Sequence, residues 1–173
     1  MTSLDTSRVA ISRVYVERVH EIPDLPRTSK GRSIANLLEL RAGESIQALV
    51  RIVAKYGSNK EDLTWQQTNE LFFVTRQGTC KRTALSDFQN VRKGGIIAIN
   101  LEKGDDLVEV RLTNGSNEIV LITQQGMILR MQTNDVRSIG RATQGVRLID
   151  IEDDDKVVSI AKLVEKEEDG EAQ

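Results

Sequence analysis

Residues 70–112 read ELFFVTRQGTCKRTALSDFQNVRKGGIIAINLEKGDDLVEVRL, and residues 118–162 read EIVLITQQGMILRMQTNDVRSIGRATQGVRLIDIEDDDKVVSIAK. The two stretches are copies of one unit. At an offset of 48 they match through Glu70/Glu118, Thr75/Thr123, Gln77/Gln125, Gly78/Gly126, Arg82/Arg130 and Asp87/Asp135. Two residues are then gained, and at an offset of 50 the match resumes with Gly95/Gly145, Glu102/Glu152 and Asp105/Asp155. Apolar positions track as well: Leu107/Val157, Val108/Val158 and Val110/Ile160. A partial copy lies upstream. Val14 aligns with Cys80 and Ile128, Glu21 with Asp87 and Asp135, and Leu40, Gly43, Glu44 and Ile46 with Leu101, Gly104, Asp105 and Leu107.

Within each copy the elements are short. Leu71–Thr75, Thr79–Thr83, Ile96–Leu101 and Leu107–Leu112 are rich in Val, Ile, Leu, Phe and Thr, with Gly, Asn and Asp between them. That spacing suits strands and is too tight for helices. Gln77-Gly78 and Gln125-Gly126 read as hairpin turns, where glycine takes a positive φ at no steric cost. Gly104-Asp105 and Asp154-Asp155 suit a second hairpin. Leu107–Leu112 and Val146–Ile151 alternate as half-exposed strands do, and the unbroken apolar run Ile119–Ile122 is expected to be buried on both faces. About four strands in a unit of about 48 residues is the period of propeller blades. The fold class is therefore all-β, a propeller-like repeat of four-stranded blades, about three in number with the first incomplete. We divide the chain into an unassigned segment 1–11, a partial first blade 12–55, a connecting loop 56–69, a second blade 70–117, a third blade 118–164 and an acidic tail 165–173.

Composition narrows the chemistry. The 173 residues are 39% hydrophobic and 29% charged, the balance of a globular protein. No apolar run reaches the roughly 20 residues that span a bilayer, and Met1–Asp5 opens no signal peptide, so a cytoplasmic location without membrane contact is expected. One cysteine, Cys80, and one histidine, His20, leave no disulfide, no zinc cluster and no nucleophile–histidine set. Cys80 aligns with Val14 and Ile128 and reads as a core residue. We expect no catalytic residue, no metal and no cofactor. The net charge of −2 conceals a segregation. Residues 1–151 carry 21 bases and 17 acids, whereas residues 152–173 carry three bases and nine acids. An acidic end on a mildly basic body suits a protein whose basic surface meets a polyanion.

A further run carries a resemblance. Gly31-Arg32-Ser33-Ile34-Ala35-Asn36-Leu37-Leu38-Glu39-Leu40 followed by Gly43-Glu44, the strand Arg13-Val14-Tyr15 with His20-Glu21-Ile22-Pro23, and the stretch Gly140-Arg141-Ala142-Thr143-Gln144-Gly145-Val146 resemble the C-terminal region of bacterial gyrase A, the DNA-cleaving subunit of DNA gyrase. The corresponding subunit of topoisomerase IV is a close relative. The resemblance covers about residues 12–173. It implies a β-pinwheel, whose blades exchange an outer strand with their neighbours and whose basic rim wraps duplex DNA. It implies a non-catalytic part of a type IIA topoisomerase, working with the rest of the DNA-cleaving subunit, and with the ATP-hydrolysing subunit, in ATP-dependent supercoiling. The family's Q-R-R-G-G-K-G box has no match here. Neither Tyr15 nor Tyr56 follows the arginine that the family's cleaving tyrosine requires, and no G-x-x-x-x-G-K-[ST] loop exists.

On that resemblance, the partner is double-stranded DNA, held by its phosphates without sequence readout. The candidate contacts are Lys30, Arg32, Lys81, Arg82, Arg92, Lys93, Arg130, Arg137 and Arg141. Arg82 and Arg130 occupy equivalent positions, and so do the loops holding Arg92-Lys93 and Arg137–Arg141, so successive blades are expected to present a ladder of cations. The alternative is a propeller-like protein-interaction module that binds no DNA. Trp65 is expected to pack under its loop, and the tail Glu165–Glu171 is expected to compete with DNA for the basic surface.

Overall fold

The computed structural model describes residues 10–52, 69–152 and 154–163. The segment 1–9, most of the connecting loop with Tyr56 and Trp65, and the acidic tail 165–173 lie outside the described residues. Nine strands are described: β1 Ala10–Val14, β2 Glu70–Thr75, β3 Thr79–Ala84, β4 Ile96–Leu101, β5 Leu107–Thr113, β6 Glu118–Thr123, β7 Ile128–Gln132, β8 Val146–Arg147 and β9 Val157–Leu163. Short 3-10 turns follow the second strand of each copy, at Val19–Glu21, Leu85–Phe88 and Thr133–Asp135. No α-helix occurs among the described residues.

The strands form three antiparallel sheets in the orders β1-β4, β5-β2-β3-β8 and β7-β6-β9. These sheets are not the sequence copies. The third strands of copies two and three leave their own sheets and pair with the second strand of the copy before. Thus β4 lies on β1, with Val14 opposite Ile96, and β8 lies on β3, with Cys80 opposite Val146. The fold is all-β and strand-exchanged, as the resemblance implies.

The repeated turn residues explain the repeated hairpins. Gly78 and Gly126 stand at φ 80° and 91°, in the left-handed region that glycine enters without a Cβ penalty. A carboxylate ties this hairpin to the next one. Asp105 Oδ1 accepts from the Gln77 and Asp106 N–H groups, both at 2.9 Å, and Asp155 Oδ1 accepts from Gln125 at 3.0 Å and Lys156 at 2.7 Å. Burial raises the Asp155 pKa, but the Thr123 hydroxyl and three backbone N–H groups outweigh it, so the net shift is downward. Asp135 closes the turn after β7 by accepting from Gln132 N–H at 3.1 Å, a capping role.

Strand β2 is buried on both faces and separates two apolar clusters. Leu71 and Phe73 pack with Leu85, Phe88, Ile99 and Leu101, while Phe72 and Val74 pack with Cys80, Ile119, Leu121, Val136 and Ile160. The second cluster joins copies two and three, so each buried phenylalanine, worth about 2–3 kcal/mol, stabilises the array. Cys80 is a core residue, and burial pushes its thiol up to about 12, aided by Asp105.

Two local expectations change. Of the run Ile119–Ile122 in β6, Ile119 and Leu121 are buried, whereas Val120 and Ile122 are half-buried, because no further sheet covers that face among the described residues. Of Val146–Ile151, only Val146–Arg147 pairs as a strand. Beyond it the chain turns into the core at Ile149, after Leu148 N–H donates to Gly78 O at 3.0 Å.

Candidate nucleic-acid interface

The second strand of each copy and the loop after it hold most of the candidate cations. Strand β3 places Lys81 and Arg82 side by side, and the structure turns both inward. Lys81 has no exposed surface. Its Nζ donates to the carbonyls of Gly140 at 3.1 Å and Arg141 at 2.6 Å, with Thr143 O at 3.5 Å and Thr143 Oγ1 at 3.4 Å completing the shell. The Phe73 ring lies 5.4 Å from the same nitrogen. Burial pulls the ammonium down to about 8, and Asp87 acts in the opposite direction.

Arg82 is 9% exposed. It donates to Val136 O, to Glu70 at 2.8 Å and to Asn134 at 2.8 Å. Its equivalent Arg130 pairs with the equivalent Glu118, but its side chain is 65% exposed. Arg82 and Arg130 therefore do not form a surface ladder. The difference is positional. The segment 136–147 of copy three lies over β3, and no described segment lies over β7.

That segment is held along its length. Ile139 N–H donates to Arg82 O at 2.9 Å, and the Thr83 hydroxyl donates to Ile139 O at 2.9 Å. Asn100 reaches in from β4, its N–H donating to Thr143 O at 3.0 Å and its side chain to Ala142 O at 3.0 Å. Gly145 ends the loop at φ 116°, where an added Cβ would lie 2.7 Å from Cys80 O, so only glycine lets β8 approach β3. Arg137 is exposed and Arg141 half-buried on this fixed loop.

The remaining candidates are all exposed. Arg92 and Lys93 occupy the equivalent loop of copy two, closed by Gly95 N–H donating to Arg92 O at 2.8 Å. Lys30 and Arg32 stand in the stretch between the turns Val19–Glu21 and Ile34–Asn36. Lys30, Arg32, Arg92, Lys93, Arg137 and Arg141 form no ion pair among the described residues. No cluster of three metal-ligating side chains occurs among the described residues either. His20 is exposed, and Tyr15 donates its hydroxyl to Glu44 at 2.5 Å just after β1. Burial, then Glu44, raises the Tyr15 pKa, the wrong direction for a nucleophile.

The sequence model of the family described as "DNA gyrase C-terminal domain, beta-propeller" matches residues 13–52, 69–114 and 117–163. The chain belongs to this family. Among its relatives, the DNA gyrase A protein of Haloquadratum walsbyi is 40% identical over 159 residues, which are 91% of this chain and 18% of the relative. That of Halalkalibacterium halodurans is 44% identical over 135 residues, 78% of this chain and 15% of the relative. The chain thus spans less than a fifth of the length of these relatives. Among solved structures, the C-terminal domain of DNA topoisomerase IV aligns with a TM-score of 0.70 and 30% identity, over 86% of this chain and 43% of that domain. The DNA gyrase A C-terminal domain aligns with a TM-score of 0.65 at 24% identity, a likeness of fold. Among the described residues no helix is long and apolar enough to cross a membrane.

Sequence reasoning missed the inward turn of Lys81 and Arg82. A signal was present for Arg82. Glu70/Glu118 and Arg82/Arg130 recur together in both copies, which is the mark of a cross-strand pair. The Lys81 cage had none, because its acceptors are backbone carbonyls of another copy.

Proposed function

We propose that this chain is a non-catalytic DNA-wrapping module of a type IIA topoisomerase, acting within a gyrase-type enzyme in the cytoplasm. Lys30, Arg32, Arg92, Lys93, Arg130, Arg137 and Arg141 form the phosphate-contacting surface, while Lys81 and Arg82 serve it from inside. The carrying observation is the loop 136–145, bonded along its length to copy two and holding Arg137 and Arg141 without ion pairs to any described residue. Fixed cations neutralise phosphates without an ordering cost at the moment of binding. Contacts of this kind offset the few kcal/mol that bending a duplex costs and read no sequence. The functional units are the blades 12–55, 70–117 and 118–164. The cleaving tyrosine and the ATPase belong to other parts of the enzyme. The protein partners are the rest of the DNA-cleaving subunit, together with the ATP-hydrolysing one.

The test is a titration of a labelled duplex of about 40 base pairs at several salt concentrations, followed by anisotropy. Binding is expected to weaken steeply with salt, with a slope of about −0.9 per phosphate neutralised. Arg137→Gln and Arg141→Gln are each expected to reduce the slope by about that amount. Absence of binding at low salt overturns the proposal in favour of a protein-interaction module of the same fold.

A further inference from the structure

The loop at the β1-β4 junction is held by other means than the loop at the β3-β8 junction. Val14 and Cys80 are equivalent, so Tyr15, one residue past β1, stands where Lys81 stands on β3. A tyrosine has no ammonium to serve a cage of carbonyls. Its ring instead lies against Gly95, which closes the loop holding Arg92 and Lys93. A Cβ added at Gly95 would lie 2.9 Å from the Tyr15 ring atoms Cε1 and Cζ and 3.0 Å from Val14 O. The equivalent Gly145 makes the equivalent approach to Cys80 O. Gly95 stands at φ 66° and has no side chain to limit its own rotation. The tyrosine ring supplies the packing that the glycine lacks.

The ring is fixed in turn. Tyr15 donates its hydroxyl to Glu44 Oε2 at 2.5 Å. The same oxygen accepts the Arg41 N–H at 2.8 Å, within a turn closed by Glu44 N–H donating to Arg41 O at 3.0 Å. Arg13 Nε faces Glu44 Oε1 at 3.7 Å, and Arg13 Nη1 donates to Gly95 O at 3.3 Å. The contacts close a circuit from Gly95 through the Tyr15 ring, Glu44 and Arg13 back to Gly95. The side chains of Arg13 and Glu44 are 15% and 23% exposed, so water competes weakly for these bonds. Burial opposes ionisation of Glu44, but the Tyr15 hydroxyl and the Arg41 N–H outweigh it, and the group stays a carboxylate. Burial, then Glu44, raises the phenol, which therefore stays a donor at neutral pH. A hydrogen bond to a carboxylate is about twice as strong as a neutral one, and it sets the angle of the ring.

We propose that Tyr15 is a positioning residue for DNA binding, acting with Glu44 and Arg13 to hold the Arg92-Lys93 loop where its cations meet phosphates. This rests on the DNA-wrapping reading above. Tyr15 acts through Gly95 and touches no phosphate itself. Gly95 N–H donates to Arg92 O at 2.8 Å, so the residue that Tyr15 packs on also closes the turn carrying both cations. A turn held at that point presents Arg92 and Lys93 in one direction, and the cost of ordering them is met before DNA arrives. Copy one thus serves the cations of copy two through a ring and a carboxylate, as copy two serves those of copy three through an ammonium.

The test is a double-mutant cycle on the whole chain, read as affinity for a labelled duplex of about 40 base pairs at low salt. Tyr15→Phe keeps the ring and removes the bond to Glu44. It is expected to weaken binding about threefold or more with the salt slope unchanged. In a chain already carrying Arg92→Gln and Lys93→Gln it is expected to have no further effect, whereas beside Arg137→Gln its full effect remains. Glu44→Ala, outside the loop, is expected to reproduce the loss. Glu44→Gln, whose amide oxygen still accepts from the hydroxyl, is expected to restore most of it. An unchanged affinity overturns the proposal, and so does a loss of equal size in every background, which would be a general loss of structure. Amide exchange of the free protein gives a readout that needs no DNA. The Gly95 N–H is expected to exchange about tenfold faster in Tyr15→Phe, with the amides of β2 unchanged, and an unchanged rate at Gly95 overturns the proposal. If the wild-type chain binds no duplex, the wrapping reading is what fails, and the Gly95 amide alone decides whether Tyr15 holds the loop.

Discussion

Replacing Lys81 by Met tests how the interface is held. Methionine fills the same space and removes the donor. The loss is the set of carbonyls at Gly140, Arg141 and Thr143 that the ammonium serves at 2.6–3.5 Å. An unserved buried acceptor costs about 1–3 kcal/mol, but Thr143 O keeps the Asn100 N–H at 3.0 Å and Gly140 O keeps the Thr143 hydroxyl at 2.6 Å, so only Arg141 O loses its donor and the loss is about 1–3 kcal/mol. The return is relief from burying a charge. A fall from 10.5 to about 8 corresponds to about 3 kcal/mol at 1.36 kcal/mol per unit. The terms nearly cancel, so global stability is expected to change by no more than about 2 kcal/mol. The loop is where the change appears, because the bonds removed are those that pin it. Amide exchange at residues 139–145 is expected to quicken by about tenfold or more, while the β2–β6 core is unaffected.

Two readouts decide the role of Lys81. Duplex affinity is expected to drop several-fold with the salt slope unchanged, since Lys81 orders the loop and touches no phosphate. A slope lowered by about 0.9 would place Lys81 on the DNA and refute the reasoning. The second readout is pH. A lysine whose folded pKa lies below its unfolded value opposes folding while charged. Its penalty is full below pH about 8 and disappears as pH rises to 10.5, so wild-type stability relative to Lys81→Met is expected to rise across that window. A fall across the same window would mean that the carbonyl cage binds the proton more tightly than water does, against the burial argument.

Four other perturbations test the remaining readings. Gly145→Ala puts a Cβ 2.7 Å from Cys80 O at a φ of 116°, and is expected to cost at least about 2 kcal/mol in urea unfolding by separating β8 from β3. Glu70→Gln and Glu118→Gln remove equivalent partners in unequal settings: the buried Arg82 loses its counter-charge at a cost of about 3 kcal/mol, whereas at the exposed pair the change stays within about 1 kcal/mol and the freed Arg130 tightens duplex binding at low salt. Removal of residues 165–173 is expected to tighten duplex binding at low salt and to have no effect at high salt, and an unchanged low-salt affinity would show that the tail does not compete.

The repeat made most of the fold legible. The offsets of 48 and 50 located the hairpin glycines Gly78 and Gly126 and every strand of copies two and three, because period-two patterning and turn chemistry are local properties. Strand exchange is not local, and it entered only through the resemblance. Its consequences escaped the residue-by-residue reading. Val146–Ile151 alternates like a full strand, yet pairs over two residues because Ile149 is needed in the shared core. Val120 and Ile122 look like core and lie half-open because no further sheet covers that face among the described residues. The candidate cations show the same limit. Exposure of Arg92, Lys93 and Arg137 followed from their loops, whereas Lys81 and Arg82 are buried by a segment 54–62 residues away.

Equivalent residues in such an array have equivalent chemistry only when their neighbours match. Arg82 and Arg130 have the same place on the same strand and the same glutamate beside them. One is locked beneath the following copy, and the other stands 65% exposed. The second strand of a copy is therefore an acceptor whose surface is finished by the next copy, and each surface loop is shaped by the copy that precedes it. Arg137 and Arg141 project from copy three, but Lys81, Thr83 and Asn100 of copy two hold their loop. The phosphate contacts proposed for this loop are therefore a property of the junction between copies. A cation ladder in this fold then counts junctions, not copies: among the described residues two junctions are formed, β1-β4 and β3-β8, and their loops Arg92-Lys93 and Arg137–Arg141 are the ones set in place.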